Sequence, residues 1–117
     1  MVDESTLKQN LTEVYDASWE LEYEGAVCKF ELTSVEDAVL YDLEVPESMR
    51  NNGLGTDLIR FIEQYLRNNT TAEYMYVQIG APTGATEHVL NNKLDFEITG
   101  VEKRETLGKV IDASKKL

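Results

Sequence analysis

The sequence predicts an α/β fold in which antiparallel strands lead into a unit of strand, glycine turn, helix and strand. Three observations carry this expectation. Residues 19–33 alternate apolar and polar side chains about a glycine, residues 54–66 repeat apolar side chains at helical spacing, and extended apolar runs lie on either side of that helix.

The elements follow in order. Leu7, Leu11, Val14 and Tyr15 fall on one face of a predicted first helix, with Asp3 and Glu4 favourably placed against its N-terminal dipole. Trp19, Leu21 and Tyr23 then alternate with Glu20, Glu22 and Glu24, Gly25 makes a turn, and Cys28, Phe30 and Leu32 alternate with Lys29, Glu31 and Thr33. That pattern is an antiparallel hairpin with one buried face. A third strand is predicted over Val39 to Val45, so three strands run as a meander. Leu54, Leu58, Phe61, Ile62, Tyr65 and Leu66 recur at three and four residues, while Thr56, Asp57, Arg60, Glu63, Gln64 and Arg67 fill the other face of a long helix. Asn68 to Thr71 end it with turn formers, and Glu73 to Ala81 is predicted as a strand.

At 117 residues the chain is expected to form one domain over residues 1–117. No apolar run approaches the roughly 20 residues of a membrane span and no signal peptide opens the sequence, so a soluble, cytoplasmic protein without a membrane partner is expected. Cys28 is the one cysteine, which forbids an intrachain disulfide and agrees with a reducing compartment. The Asn-x-Thr triplets at positions 10, 68 and 69 are then accidental. A formal net charge of −11 argues against nucleic acid as a partner, since a polyanion needs a basic face. One His, one Cys and no paired acidic spacing of the calcium-loop type leave no basis for a metal site.

Residues 50–55 read Arg-Asn-Asn-Gly-Leu-Gly between the third strand and the long helix. A strand that opens through glycines into a helix leaves several backbone N–H groups free and close together, a ready site for a phosphate or pyrophosphate. The glycines admit a close approach to the backbone, the helix dipole adds partial positive charge, and Arg50 adds a formal one. A nucleoside triphosphatase loop needs Lys-Ser or Lys-Thr after its last glycine, whereas Gly55 is followed by Thr56 and Asp57. A dinucleotide fingerprint needs a third glycine at position 58, which is Leu.

What remains is Arg-x-x-Gly-x-Gly after a hydrophobic strand, and this resembles the acyl-CoA site of the GNAT superfamily of N-acyltransferases. Arg50, Gly53 and Gly55 match that family's pattern, and the likeness extends over roughly residues 17–117. The resemblance implies a mixed, mainly antiparallel sheet of about six strands flanked by about three helices. It implies that the backbone of Asn51, Asn52, Gly53, Leu54, Gly55 and Thr56 cradles the CoA pyrophosphate. It also implies that Leu43 and Val45 hydrogen-bond the pantetheine arm, in a splay between the loop-bearing strand and the next. Leu90 to Phe96 resembles the end of the family's second core helix, with two departures. Asn91 stands where the family usually has the Tyr that protonates the departing CoA thiolate, and an amide is no general acid at neutral pH. Asp95 stands at a usual Gly, and Asp tolerates the left-handed region next best.

The implied chemistry is direct transfer of an acetyl group from acetyl-CoA to a primary amine on a small molecule or protein, with no metal. Glu44 and Asp42 share one face of the loop-bearing strand, opposite Tyr41, Leu43 and Val45, and Glu44 is the candidate base for the acceptor ammonium. Tyr41 is expected in the core, Cys28 as a small buried hydrophobe, and His88 on a helix surface; Tyr74 and Tyr76 either pack or line the groove. Family members usually place a strand and two helices before the hairpin, walling the acceptor pocket, and here one predicted helix precedes it. Either a second subunit completes the pocket, as in a homodimer, or the acceptor is a flexible chain or small amine, or there is no acceptor. The alternative class is thus a non-catalytic acyl-CoA-binding or protein-interaction module of the same fold, and a third is an acidic module without a CoA site.

Overall fold

The structure is a computed structural model and describes residues 4–49, 53–80, 89–104 and 108–117. Helix α1 (Glu4–Asn10) is followed by strands β1 (Leu11–Tyr15), β2 (Ser18–Tyr23), β3 (Ala26–Leu32) and β4 (Asp37–Glu44). A short turn of 3-10 helix at Glu47–Met49 leads toward helix α2 (Leu54–Asn69), then come strand β5 (Tyr74–Gly80), a π-helical turn (Val89–Lys93), and strands β6 (Glu97–Arg104) and β7 (Gly108–Lys116). All strands join one seven-stranded sheet in the order β1-β2-β3-β4-β5-β7-β6. Among the described residues only the central β4–β5 pair is parallel, as the α2 crossover between them requires.

The N-terminal helix predicted through Tyr15 stops at Asn10, and Leu11 to Tyr15 pairs with β2 as the seventh strand. Thr12, Val14 and Tyr15 favour the extended backbone, and the otherwise open edge of β2 supplies the ladder that a short amphipathic helix lacks. Only Leu7 of α1 is buried. The second core helix expected before Leu90 lies mostly outside the described residues.

The hairpin holds its predicted register: Trp19, Leu21, Cys28 and Phe30 are buried on one face, with Glu20, Glu22, Lys29 and Glu31 on the other. Onto the buried face packs α2. Its Tyr65 ring stands edge-on to Trp19 and Phe30, which stack at 5.3 Å between ring centroids. Leu58, Ile59, Ile62 and Leu66 fill the space over Leu40, Met75 and Val77. The helix ends at Thr70, whose N–H and hydroxyl both donate to the Leu66 carbonyl at 3.2 and 2.7 Å.

Two residues assigned to the polar face of α2 are inside. Thr56 and Glu63 are 8 % and 5 % exposed. Glu63 receives two hydrogen bonds from the Lys115 ammonium, at 3.2 and 3.1 Å, and Lys115 also donates to the Leu94 carbonyl at 2.7 Å and lies 5.6 Å from the centre of the Phe96 ring. One ammonium thus ties α2, β7 and the turn before β6. Removing Lys115 leaves the buried Glu63 carboxylate only the half-exposed Arg67 guanidinium at 4.0 Å, whereas replacing both members of the buried pair with apolar groups leaves no buried charge. Lys115→Ala is therefore expected to lower the unfolding free energy by about 3 kcal/mol, and Lys115→Met with Glu63→Leu to recover most of that loss, by urea denaturation.

Candidate functional site

The register between β4 and β5 sets the geometry of the site. Pairing runs from Asp37↔Tyr74 to Leu40↔Val77, while β4 continues to Glu44 and β5 to Gly80. The parting coincides with a bulge in β4: Leu40 pairs with Phe30 and Asp42 with Lys29, leaving Tyr41 as the extra residue. A bulge bends its strand and increases the local twist, which draws the end of β4 away from β5. It also moves Tyr41 off the core face, so this residue, expected in the core, is 42 % exposed. Beyond the bulge Leu43 and Val45 are half-buried against the core, and Asp42 and Glu44 share the other face opposite Lys29 and Val27. Glu44, the candidate base, ends β4 exposed to solvent.

Helix α2 begins at the same end of the sheet. Gly53 precedes it with φ of 85°, in the left-handed region where a Cβ is strained. Asp57 N–H bonds the Gly53 carbonyl at 3.0 Å, so the N–H groups of Gly55 and Thr56 point off the helix end. Leu54 and the Thr56 side chain are buried, which leaves Thr56 its backbone to offer. Gly55 is informative because nothing among the described residues demands it: its backbone is helical, and an added Cβ would meet none of their atoms within 4 Å. A glycine in a helix costs about 1 kcal/mol relative to alanine. Arg50, Asn51 and Asn52, expected to complete the cradle, lie outside the described residues, as does His88.

Asn91 lies in the π-helical turn and donates its side-chain amide to the Phe96 carbonyl at 3.0 Å. The Phe96 N–H bonds the Leu90 carbonyl at 2.8 Å, and Asp95 takes φ of 60° to turn the chain. The residue at the usual tyrosine position therefore closes the helix end. Sequence reasoning missed this, as it did the Glu63–Lys115 pair: each joins a polar side chain to a partner that only the folded backbone brings near.

Cys28 is fully buried, and burial, with a smaller contribution from the Asp42 charge, pushes its thiol up to about 12. It is no nucleophile. Among the described residues no three His, Cys, Asp or Glu side chains could hold a metal, and no helix is long and apolar enough to cross a membrane.

A sheet that parts beside a glycine-led helix defines a class of fold, and comparison identifies it. The profile of the acetyltransferase (GNAT) family matches residues 11–96. The chain belongs to that family, and it is an acetyltransferase. Similar solved structures include a GNAT family acetyltransferase from Elizabethkingia anophelis with acetyl-CoA bound, at 14 % identity over 97 % of this chain and 80 % of that one, with a TM-score of 0.64. An acetyltransferase of the GNAT family from Streptococcus pneumoniae shares 18 % identity over 89 % of this chain and 69 % of that one, with a TM-score of 0.68. RimL, a ribosomal alpha-N-protein acetyltransferase in complex with coenzyme A, shares 11 % over 86 % and 61 %, with a TM-score of 0.65. Identities this low establish a common fold. No curated protein matches the sequence.

Opposite effects are expected at the two glycines. Gly53→Ala should lower stability by about 1 kcal/mol, because the left-handed backbone disfavours a Cβ, while Gly55→Ala should raise it by up to about 1 kcal/mol; thermal melts of the two variants check this. Cys28 has a pH signature. Below its ordinary value of 9.0 the thiol is protonated in both states, but between 9.0 and about 12 only the unfolded chain ionises. Stability should therefore fall by about 1.4 kcal/mol per pH unit across that window. Denaturant titrations from neutral to alkaline pH should show this slope in the native sequence and lose it in Cys28→Ala.

Proposed function

We propose that the chain moves the acetyl group of acetyl-CoA directly to a primary amine. Gly55 carries this reading: a glycine that neither backbone strain nor packing requires, at the start of α2, where β4 and β5 have parted. Its bare backbone would lie against the CoA pyrophosphate, with the N–H groups of Gly55 and Thr56 and the helix dipole facing the negative charge. Leu43 and Val45 would lie along the pantetheine arm where the chain runs on beyond the pairing of β4 with β5. When bound, acetyl-CoA supplies the activated acetyl group.

Glu44 takes a proton from the acceptor ammonium, which leaves a neutral amine able to attack. Holding the amine beside the acetyl group within a ternary complex supplies the rest of the advantage. Asn91 has no proton to give at neutral pH and its amide is engaged with Phe96, so the departing thiolate is left to solvent. The lone buried thiol fits a reducing compartment, and the cytoplasm is the proposed location.

Calorimetric titration of acetyl-CoA should give micromolar binding that Gly55→Asp abolishes, since that side chain places bulk and negative charge in the cradle. Absence of binding to the native protein would sink the proposal. Because the net charge of −11 opposes a polyanion, affinity should rise from low to high salt, as screening shortens from about 30 Å to about 3 Å. Glu44→Gln should lower kcat for CoA-SH release by about 10²-fold or more, with the acetyl-CoA affinity kept.

A further inference from the structure

Resting on the acyl-transfer reading above, we infer that Lys29 is a modification site of the chain itself, acetylated in cis by acetyl-CoA bound in the parting of β4 from β5. Its placement carries the inference. Lys29 stands on β3 opposite Asp42 of β4, on the face turned away from α2. Its side chain is 41 % exposed and leans across to β4, with Nζ 3.9 Å from Asp42 Oδ2. That distance makes an ion pair without a hydrogen bond, and such contacts between exposed groups hold weakly. The amine is easily released.

Asp42 lies beside the opening. On one side β4 stays paired with β3 as far as Val27↔Glu44, while on the other its pairing with β5 ends at Leu40↔Val77. The arm of acetyl-CoA, entering from α2 past Val45 and Leu43, would carry its acetyl end toward that last pair and so beside Asp42. Neighbouring strands are about 4.8 Å apart, and the four-carbon stem of a lysine crosses one such spacing. From β3 the amine therefore reaches over β4 to the opening with no movement of the backbone.

The sequence supplies an independent observation. Strands β2 to β5 contain no other Lys or Arg, so this face offers a bound thioester one amine. Lys115 is spent on Glu63 and the Leu94 carbonyl, and Lys116 lies across from Tyr74, at the end of β5 where pairing with β4 is intact. A nucleophile held in the same molecule as the bound thioester needs no encounter, which favours its transfer strongly over that to a free amine in dilute solution.

The Lys29 ammonium passes one proton to water through Asp42, the carboxylate beside it, and the neutral nitrogen bonds the thioester carbon. The C–S bond then breaks with its electrons going to sulfur, and a second proton from the nitrogen reaches the thiolate through solvent to give CoA-SH. Lys29 is left as a neutral amide.

The test incubates the native protein with acetyl-CoA alone and follows intact mass, with peptide mapping to place the acetyl group. One acetyl group per chain is expected, on Lys29, at a rate that dilution of the protein leaves unchanged. Gly55→Asp, which denies acetyl-CoA its cradle, should lose the modification. Lys29→Arg should lose it too while binding acetyl-CoA as tightly as the native protein by calorimetry, because a guanidinium keeps the charge but does not give up its proton. A rate proportional to protein concentration, acetyl groups on other lysines instead, labelling of Lys29 indifferent to Gly55→Asp, or a native protein that binds acetyl-CoA and stays unmodified would each overturn the inference. Failure to bind acetyl-CoA at all would overturn the acyl-transfer reading instead.

Discussion

The parting of β4 from β5 is the constraint on which the rest of the molecule depends. A parallel pair in the middle of a sheet is normally buried and continuous, because each unpaired backbone group inside a protein is costly. Here pairing stops at Leu40↔Val77, beside the extra residue Tyr41, and both strands run on. The bulge is compensated by what surrounds it. Leu40, Val77 and Phe30 hold the paired end in a dense core, and α2 bridges the two strands, pinned in its first two turns by Leu54 and Leu58 and further along by Glu63 on Lys115. The opening is therefore held in shape by the fold itself, before any ligand arrives.

Much of the architecture was legible in the sequence because burial imposes a period on side chains. The strict alternation of Trp19, Leu21, Cys28 and Phe30 with charged residues admits one register for the hairpin, and a one-residue slip would bury glutamates. The spacing from Leu54 to Leu66 likewise admits only a helix over a core. What was not legible arises where tertiary contacts override local pattern. Leu11 to Tyr15 fits a helical face as well as a strand, and the free edge of β2 decides between them. Thr56 and Glu63 lie at polar positions of the helical wheel, yet Glu63 turns inward to a lysine 52 residues away, a distance that no local pattern spans. Tyr41 obeys the alternation of its strand until the bulge interrupts it.

The site divides in the same way. The proposed donor half was legible because a backbone that is to be bare or left-handed leaves glycines at fixed spacing, as at Gly53 and Gly55. Side chains whose nearness depends on register are another matter: the rows running from Glu22 to Glu44 and from Glu20 to Asp42 emerge only once β2, β3 and β4 are aligned. Charge connects the halves. Negative charge lies on the exposed face of β2 to β4, whereas the N-terminus of α2 presents backbone dipoles of the opposite sign.

Amide hydrogen exchange with and without saturating acetyl-CoA tests the central claim most directly, because it reads the backbone that the account holds responsible. The account predicts slowed exchange at Leu43 to Val45 and in the first turn of α2 from Gly55 to Asp57, with β2 and β3 unchanged. Protection confined to other elements, or none at saturation, would contradict it.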